Sequence, residues 1–180
     1  MAKLIYGATM SLDGFIAGSG GDMSWMTEYL GPDPAVDELI GEIGALLVGK
    51  RTFAGDDPHR GTEKEGKAFG GGWEGPQIVL THHAPDMPVP GVTFAEDLEE
   101  AVAAAKAAAG DKHVNVLGAD VARQCLGKGL IDELFVGIAP VLLGDGVRLF
   151  EQPGGAHVRL ERTGVSQTRY STDLRLRVVQ

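Results

Sequence analysis

The chain has 180 residues, 43% apolar and 23% charged, which fits one compact domain with a buried core and excludes global disorder. Sixteen Lys and Arg against 25 Asp and Glu leave a net charge of −9, which argues against nucleic acid or an anionic membrane as a bulk partner. A single cysteine, Cys125, excludes an internal disulfide framework, and 27 glycines are about twice the usual share. Residues Met1 to Gly7 hold no long apolar leader core, and no stretch approaches the roughly 18 apolar residues of a membrane span, so the expected location is the cytoplasm.

Residues 3–9 read as a buried strand, followed by a loop with Gly14, Gly18, Gly20 and Gly21. Asp33-Pro34 has the form of a helix start, with Val36, Leu39, Ile40 and Ile43 at helical spacing and an end near Gly44. Ala45 to Gly49 is a second buried strand, followed directly by Lys50-Arg51-Thr52-Phe53, and the glycine-rich, charged stretch 54–75 reads as a mobile loop. Gln77 to Thr81 is a third strand. Pro85, Pro88 and Pro90 then forbid regular structure until a short strand near Val92–Phe94. A helix is expected over about 96–109, with Leu98, Val102, Ala105 and Ala109 on one face and Gly110 ending it. After it come a strand from Lys112 to Leu117, a turn at Gly118, a short helix over 119–128 and an apolar strand from Leu134 to Leu143. The alternating, Arg-rich segments 157–166 and 168–179 predict a terminal antiparallel hairpin. The order implies a three-layer α/β fold in one domain, with a mixed, mostly parallel sheet.

Several apparent motifs fail on context. Gly70 to Gly75 spells a dinucleotide fingerprint but precedes a strand instead of following one. Gly61 to Lys67 resembles a phosphate loop, but Ala68 replaces the Ser or Thr that would hold Mg²⁺, and no strand leads into it. Of the five histidines only His82 and His83 are close in sequence, and on a strand their side chains diverge, so no metal site is indicated. Cys125 reads as a buried small hydrophobe.

The pattern that holds is spread over three strand ends: Gly49-Lys50-Arg51-Thr52, Thr81-His82-His83, and Gly118-Ala119-Asp120. In α/β sheets ligands bind beyond the carboxyl ends of strands, where helix N-termini offer free N–H groups to anions. Three such ends point to one phosphate-rich ligand, although Lys50-Arg51 alone is also readable as a solvated basic pair.

In their order, these motifs resemble the dihydrofolate-reductase-like superfamily, specifically the reductase domain of the bifunctional riboflavin-biosynthesis deaminase/reductase and its stand-alone relatives. The resemblance rests on Ser11-Leu12-Asp13-Gly14-Phe15-Ile16-Ala17, Ser24-Trp25, Leu47 to Phe53 with Asp56-Asp57-Pro58, Val116 to Ala119, and Pro140 to Gly146. It implies the dihydrofolate-reductase-like fold, a homodimer and an NADPH-dependent reductase. It further implies that Gly49, Lys50, Arg51 and Thr52 hold the cofactor phosphates, with Thr81 and His82 near the adenosine 2′-phosphate. Leu117, Gly118, Ala119, Asp120 and Val121 would border the pyrophosphate, and Ala8 and Ile16 would flank the nicotinamide. The basic pair favours NADPH over NADH, because a dianionic phosphate needs paired cations. Asp13 and Asp57 are the candidates for substrate hydroxyl binding or protonation, and Trp25 and Phe53 for an apolar wall against a flat ring. Asp13-Gly14 is equally readable as a turn, and Trp25 as a core side chain. The implied reaction is hydride transfer to a C=N bond, with a substrate similar to 5-amino-6-(5-phosphoribosylamino)uracil. The alternatives are a pterin or folate reductase, a non-catalytic NADP-binding module and a structural dimer module. The chain departs from the folate branch, which carries a carboxylate on the first helix: Asp33 falls at a cap, with Asp37 a possible substitute. No deaminase segment lies within the 180 residues.

Overall fold

In the computed structural model, residues 1–155 and 157–179 are described. Ten strands form, β1 (Leu4–Ser11), β2 (Phe15–Ala17), β3 (Ile43–Gly49), β4 (Gln77–Leu80), β5 (Val92–Ala95), β6 (His113–Leu117), β7 (Glu133–Ala139), β8 (Val147–Arg148), β9 (Arg159–Gln167) and β10 (Thr172–Val179). Among the described residues four α-helices accompany them, α1 (Pro34–Glu42), α2 (Lys50–Phe53), α3 (Leu98–Ala109) and α4 (Ala119–Gly127). Eight strands make one sheet in the order β5-β4-β3-β6-β1-β7-β10-β9, while β2 and β8 pair separately. From β5 to β7 every neighbouring pair is parallel, and β10 runs antiparallel to both β7 and β9.

The central strands are apolar on both faces because both are covered, as parallel sheets require. Leu4, Tyr6, Ala45, Leu47, Val114, Val116, Leu134 and Val136 face α3 and α4, and Leu98, Ala101, Val102, Ala105 and Ala109 of α3 close that layer. Cys125 of α4 is fully buried there, and desolvation pushes its thiol up to about 11, so it behaves as an inert small hydrophobe. On the other face Ile5, Leu46, Val48, Val79 and Phe135 meet Leu39 of α1, with Phe69 and Trp73 packed alongside. This second layer is thinner, and its sparse cover leaves one face of the sheet accessible at its edge. Among the described residues, no helix is long and apolar enough to cross a membrane.

Three expectations need correction. The first helix ends at Glu42 and the next strand begins at Ile43, because Gly44 sits in a register shift of β3 where a Cβ would run into the Ala109 carbonyl. The strand expected to reach Leu143 stops at Ala139: Pro140 has no N–H for the ladder, and the chain turns away there. The stretch 54–75 is more than a loop. It includes a 3₁₀ turn at Ala68–Gly71, and Trp73 anchors it by donating its indole N–H to the Ile43 carbonyl at 3.1 Å. Substituting Gly44 by Ala is expected to destabilise the fold by about 1–3 kcal/mol through overpacking, read as a lower urea midpoint at unchanged slope.

Candidate active site

The parallel strands end together, and along their carboxyl edge runs an open cleft of about 2660 Å³. A pocket for one small ligand occupies roughly 300–1,000 Å³, so the cleft has room for two molecules side by side. It is bordered by residues after β1, β3, β4 and β6 and by the segment that precedes and includes β8.

Its basic end is built from β3 and β6. The chain leaves Gly49 into the single turn of α2, which carries Lys50, Arg51, Thr52 and Phe53, all exposed. From β6 it leaves Leu117 through Gly118 into α4. Gly118 has φ +106, and a Cβ there would overlap the Thr52 hydroxyl, so the two turns touch only because this residue is glycine. Among the described residues no side chain caps α4, so the N–H groups of its first turn have no intrahelical partner, and Gly118 to Val121 line the cleft. Asp120 sits in that turn with its carboxylate bonded to Arg123 (2.7 Å) and Gln124 (3.0 Å). The Arg123 bond holds it below the usual carboxylate range despite desolvation, with Arg51 adding to the same effect. Thr81 is buried and accepts the His83 N–H, and His82 beside it is exposed. Ala8 and Ile16 are half-buried at the other end. All the residues expected at the cofactor, from Ala8 to Val121, line this cleft.

The expected catalytic and substrate residues are placed differently. Asp13 is outside the cleft lining. Its carboxylate accepts Ser11 Oγ at 2.5 Å and the N–H groups of Leu143 (3.1 Å) and Gly144 (2.7 Å), tying the β1–β2 turn to the segment that leads into β8. The Ser11 bond outweighs desolvation and, with the two N–H donors, holds the carboxyl at about 2. A group so fixed in its charged form does not supply protons. Asp57 lines the cleft, but its oxygens accept the His59 and Gly66 N–H groups (2.7 and 2.6 Å) and shape the loop. Phe53 lines the cleft and packs edge-on against Phe94 at 5.9 Å. Trp25 does not. It lies in a 3₁₀ turn, Ser24–Tyr29, whose three-residue period sends Met23, Met26 and Tyr29 to the cleft and Trp25 elsewhere.

A polar cluster unseen in the sequence occupies the face under α1. Asp33 caps α1 through Oδ1, which accepts Ala35 N–H (2.9 Å) and Val36 N–H (3.3 Å). Its Oδ2 lies 3.3 Å from Ser171 Oγ, which lies 2.9 Å from Oδ1 of Asp173. Both carboxyls are buried, 8% and 2% exposed, and both line the cleft. Burial raises Asp173 above the usual range, and the Asp33 charge adds to it. Asn115, fully buried on β6, has no hydrogen-bond partner for either amide atom among the described residues. The available signal was the interruption of apolar runs, Asn115 between Val114 and Val116 and Asp173 in the hairpin, but sequence alone does not show that 33 and 173 meet.

The model of the RibD C-terminal domain matches residues 2–174. The chain belongs to that family. A putative riboflavin biosynthesis protein from Shewanella sp. PV-4 has the same fold, at TM-score 0.74 and 23% identity over 100% of both chains. The diaminohydroxyphosphoribosylaminopyrimidine deaminase/5-amino-6-(5-phosphoribosylamino)uracil reductase of Thermotoga maritima superposes at TM-score 0.69 and 20% identity, covering 99% of this chain and 57% of that one. Dihydrofolate reductase from Enterococcus faecalis, complexed with NADP(H), reaches 0.63 at 16% identity over 99% and 97%. These likenesses establish the dihydrofolate-reductase-like fold for this RibD-type domain.

The environment of Asp13 makes a pH prediction. Its carboxyl binds a proton more readily in the unfolded chain, near 3.8, than in the folded one, near 2. The stability it contributes is therefore complete above about 4 and lost as pH falls towards 2. In Asp13→Asn that part of the acid dependence is expected to disappear, measured as urea midpoint against pH.

Proposed function

We propose that this RibD-type domain is an NADPH-dependent reductase of a C=N bond in a ribosylaminopyrimidine, similar to 5-amino-6-(5-phosphoribosylamino)uracil. The single observation that carries the reading is the junction of Gly118 and Thr52. It brings the uncapped N-terminus of α4 beside Lys50 and Arg51, at one end of a cleft with room for a second molecule.

That junction fits a dinucleotide. The first-turn N–H groups of α4 would hold the pyrophosphate, and Lys50, Arg51 and Thr52 the charged oxygens beside it. Thr81 and His82, at the end of β4, would lie towards the adenosine, and Ala8 and Ile16 would border the nicotinamide. When bound, this cofactor supplies the hydride, and the chain's task is to orient both partners, exclude water and deliver a proton. Phe53, Met26 and Tyr29 would form the apolar wall against the pyrimidine. Asp13 acts in this reading as a positioning residue, holding the segment of Asp145, Gly146 and Arg148 at the cleft.

The reading includes a homodimer. β9 is the edge strand of the sheet, with Leu160 and Val165 40% and 58% exposed, and a second copy would cover them.

Three measurements test this. Oxidation of NADPH on adding 5-amino-6-(5-phosphoribosylamino)uracil is expected, whereas binding of NADPH with no turnover would favour a non-catalytic module. Replacing Lys50 and Arg51 together by Ala is expected to weaken NADPH by roughly tenfold or more, since hydrogen bonds to charged groups contribute about 1.5–3 kcal/mol, and to weaken NADH much less. Equal losses for both would sink the NADPH preference. Val165→Lys is expected to shift a dimer to monomer in sedimentation velocity.

A further inference from the structure

We infer that Asp33 and Asp173 share one proton across Ser171 and that Asp173 is the acid that protonates the nitrogen of the reduced bond. The inference rests on the reductase reading above and deepens it.

The hydrogen-bond inventory of the protein groups favours an extra proton. Ser171 has one hydroxyl hydrogen and stands between Asp33 Oδ2 and Asp173 Oδ1, so it serves only one of them. Ser166 Oγ, at 3.3 Å, is the other donor to Asp173. With both carboxyls ionised, two buried like charges face each other and one oxygen lacks its donor, an arrangement that low dielectric penalises. One proton removes both problems. It resides on Asp173, because Oδ1 of Asp33 is committed to the N–H groups at the start of α1, where a negative charge is favoured. Two identical side chains are thus driven to opposite protonation states by their surroundings.

The remaining charged groups around Asp173 do not replace this arrangement. Arg175, two residues along the same face of β10, is occupied by Glu42 at 2.6 Å and Glu133 at 3.0 Å. Glu133 of β7 is also paired with Lys3. Asp37, in the first turn of α1, is exposed and lines the cleft. β9 contributes Ser166, and β1 contributes Thr9, neither charged.

The proton is also in reach of a ligand. Thr9, Gly137 and Asp173 are in register across β1, β7 and β10. A Cβ on Gly137 would lie 3.1 Å from Asp173 Oδ1 and 3.2 Å from Thr9 Oγ1, so the buried glycine lets the two polar groups converge above it. Thr9 and Asp173 line the cleft, and Thr9 directly follows Ala8. The same face of the sheet carries a further buried polar group. Asn115, without a protein partner, holds its Oδ1 2.6 Å from where a Cβ of Gly7 would stand, and Gly7 is itself a lining residue two positions from Thr9. Beside Thr9 and Asp173 the cleft floor includes Gly7, which sets no side chain against a flat heterocycle.

The step balances. Opening of the ribosylamine ring breaks its C1′–O4′ bond and transfers the N–H proton to O4′, giving the C=N bond, whose π bond then breaks as a hydride forms the new C–H bond with its electron pair. The pair left on nitrogen takes the proton of Asp173, forming N–H. NADPH is the reductant, and Asp173, left as a carboxylate, regains a proton from solvent after product leaves.

The test begins on the ligand-free protein with ¹³C-carboxyl-labelled aspartate. One resonance is expected to titrate well above the ordinary value of about 3.9, to vanish in Asp173→Asn, and to move to lower pH in Asp33→Asn, which keeps the helix cap. In turnover with NADPH and the uracil substrate, kcat should fall as pH rises through that titration, because the proton is then lost. Asp173→Asn should lower kcat at least about a hundredfold and abolish this limb, with the Kd for NADPH unchanged, and Asp33→Asn should shift the limb to lower pH. Two results would overturn the inference: no aspartate titrating above the ordinary range, or an Asp173→Asn protein with wild-type kcat and pH profile. Should the wild-type protein show the titration but not oxidise NADPH with this substrate, the shared proton stands and the substrate reading falls.

Discussion

Everything at the cleft depends on one constraint: from β5 to β7 the strands run parallel, so all of them end at the same edge. At that edge the backbone must turn out of the sheet, and the segments that follow are free to carry polar groups because they no longer pack a core. Gly118 and Thr52 touch only because β3 and β6 are neighbours in register, Leu47 beside Val116 and Val48 beside Leu117. The antiparallel β10 enters from the opposite direction, which brings its first residues, Thr172 and Asp173, to the edge where the parallel strands finish. Helix cover that is complete on the α3–α4 face and thin on the α1 face then leaves this edge open on one side.

The three aspartates show how strongly position outweighs chemical identity. Asp13 accepts three short bonds and is held near 2. Asp33 accepts two N–H groups at a helix start, where the local field favours its charge. Asp173 faces Asp33 from a buried position, so its neutral form gains even though the Ser171 and Ser166 hydroxyls favour the charged one. The proposed reductase chemistry uses this difference: the first carboxylate fixes a loop, and the other two hold a proton beside a surface on which a ring can lie.

Much of the fold was legible because its signals are local. Alternation, helical spacing and caps located the sheet strands and main helices within a few residues, and the buried face of α3 is the one its spacing indicates. The misplaced boundaries at Gly44 and Pro140 arise where a distant contact or a missing donor overrides the apolar pattern. The two-residue β8 and the three-residue β2 carry too few residues for any periodicity, and each exists only by pairing with the other.

At the cleft, the sequence alone determined the strand ends, since glycine and basic residues at 49–52 and 118 leave a pattern within a few neighbouring positions. The tertiary structure alone decided which acid is tied into a loop and which is buried beside a second carboxyl. Asp13 reads as an exposed turn carboxylate and Asp173 as one polar residue in an alternating hairpin, and nothing near either in the chain distinguishes them. Protonation is set by burial and by charges through space: burial raises Asp173, and Asp33, far away in sequence and brought beside it by folding, adds to that.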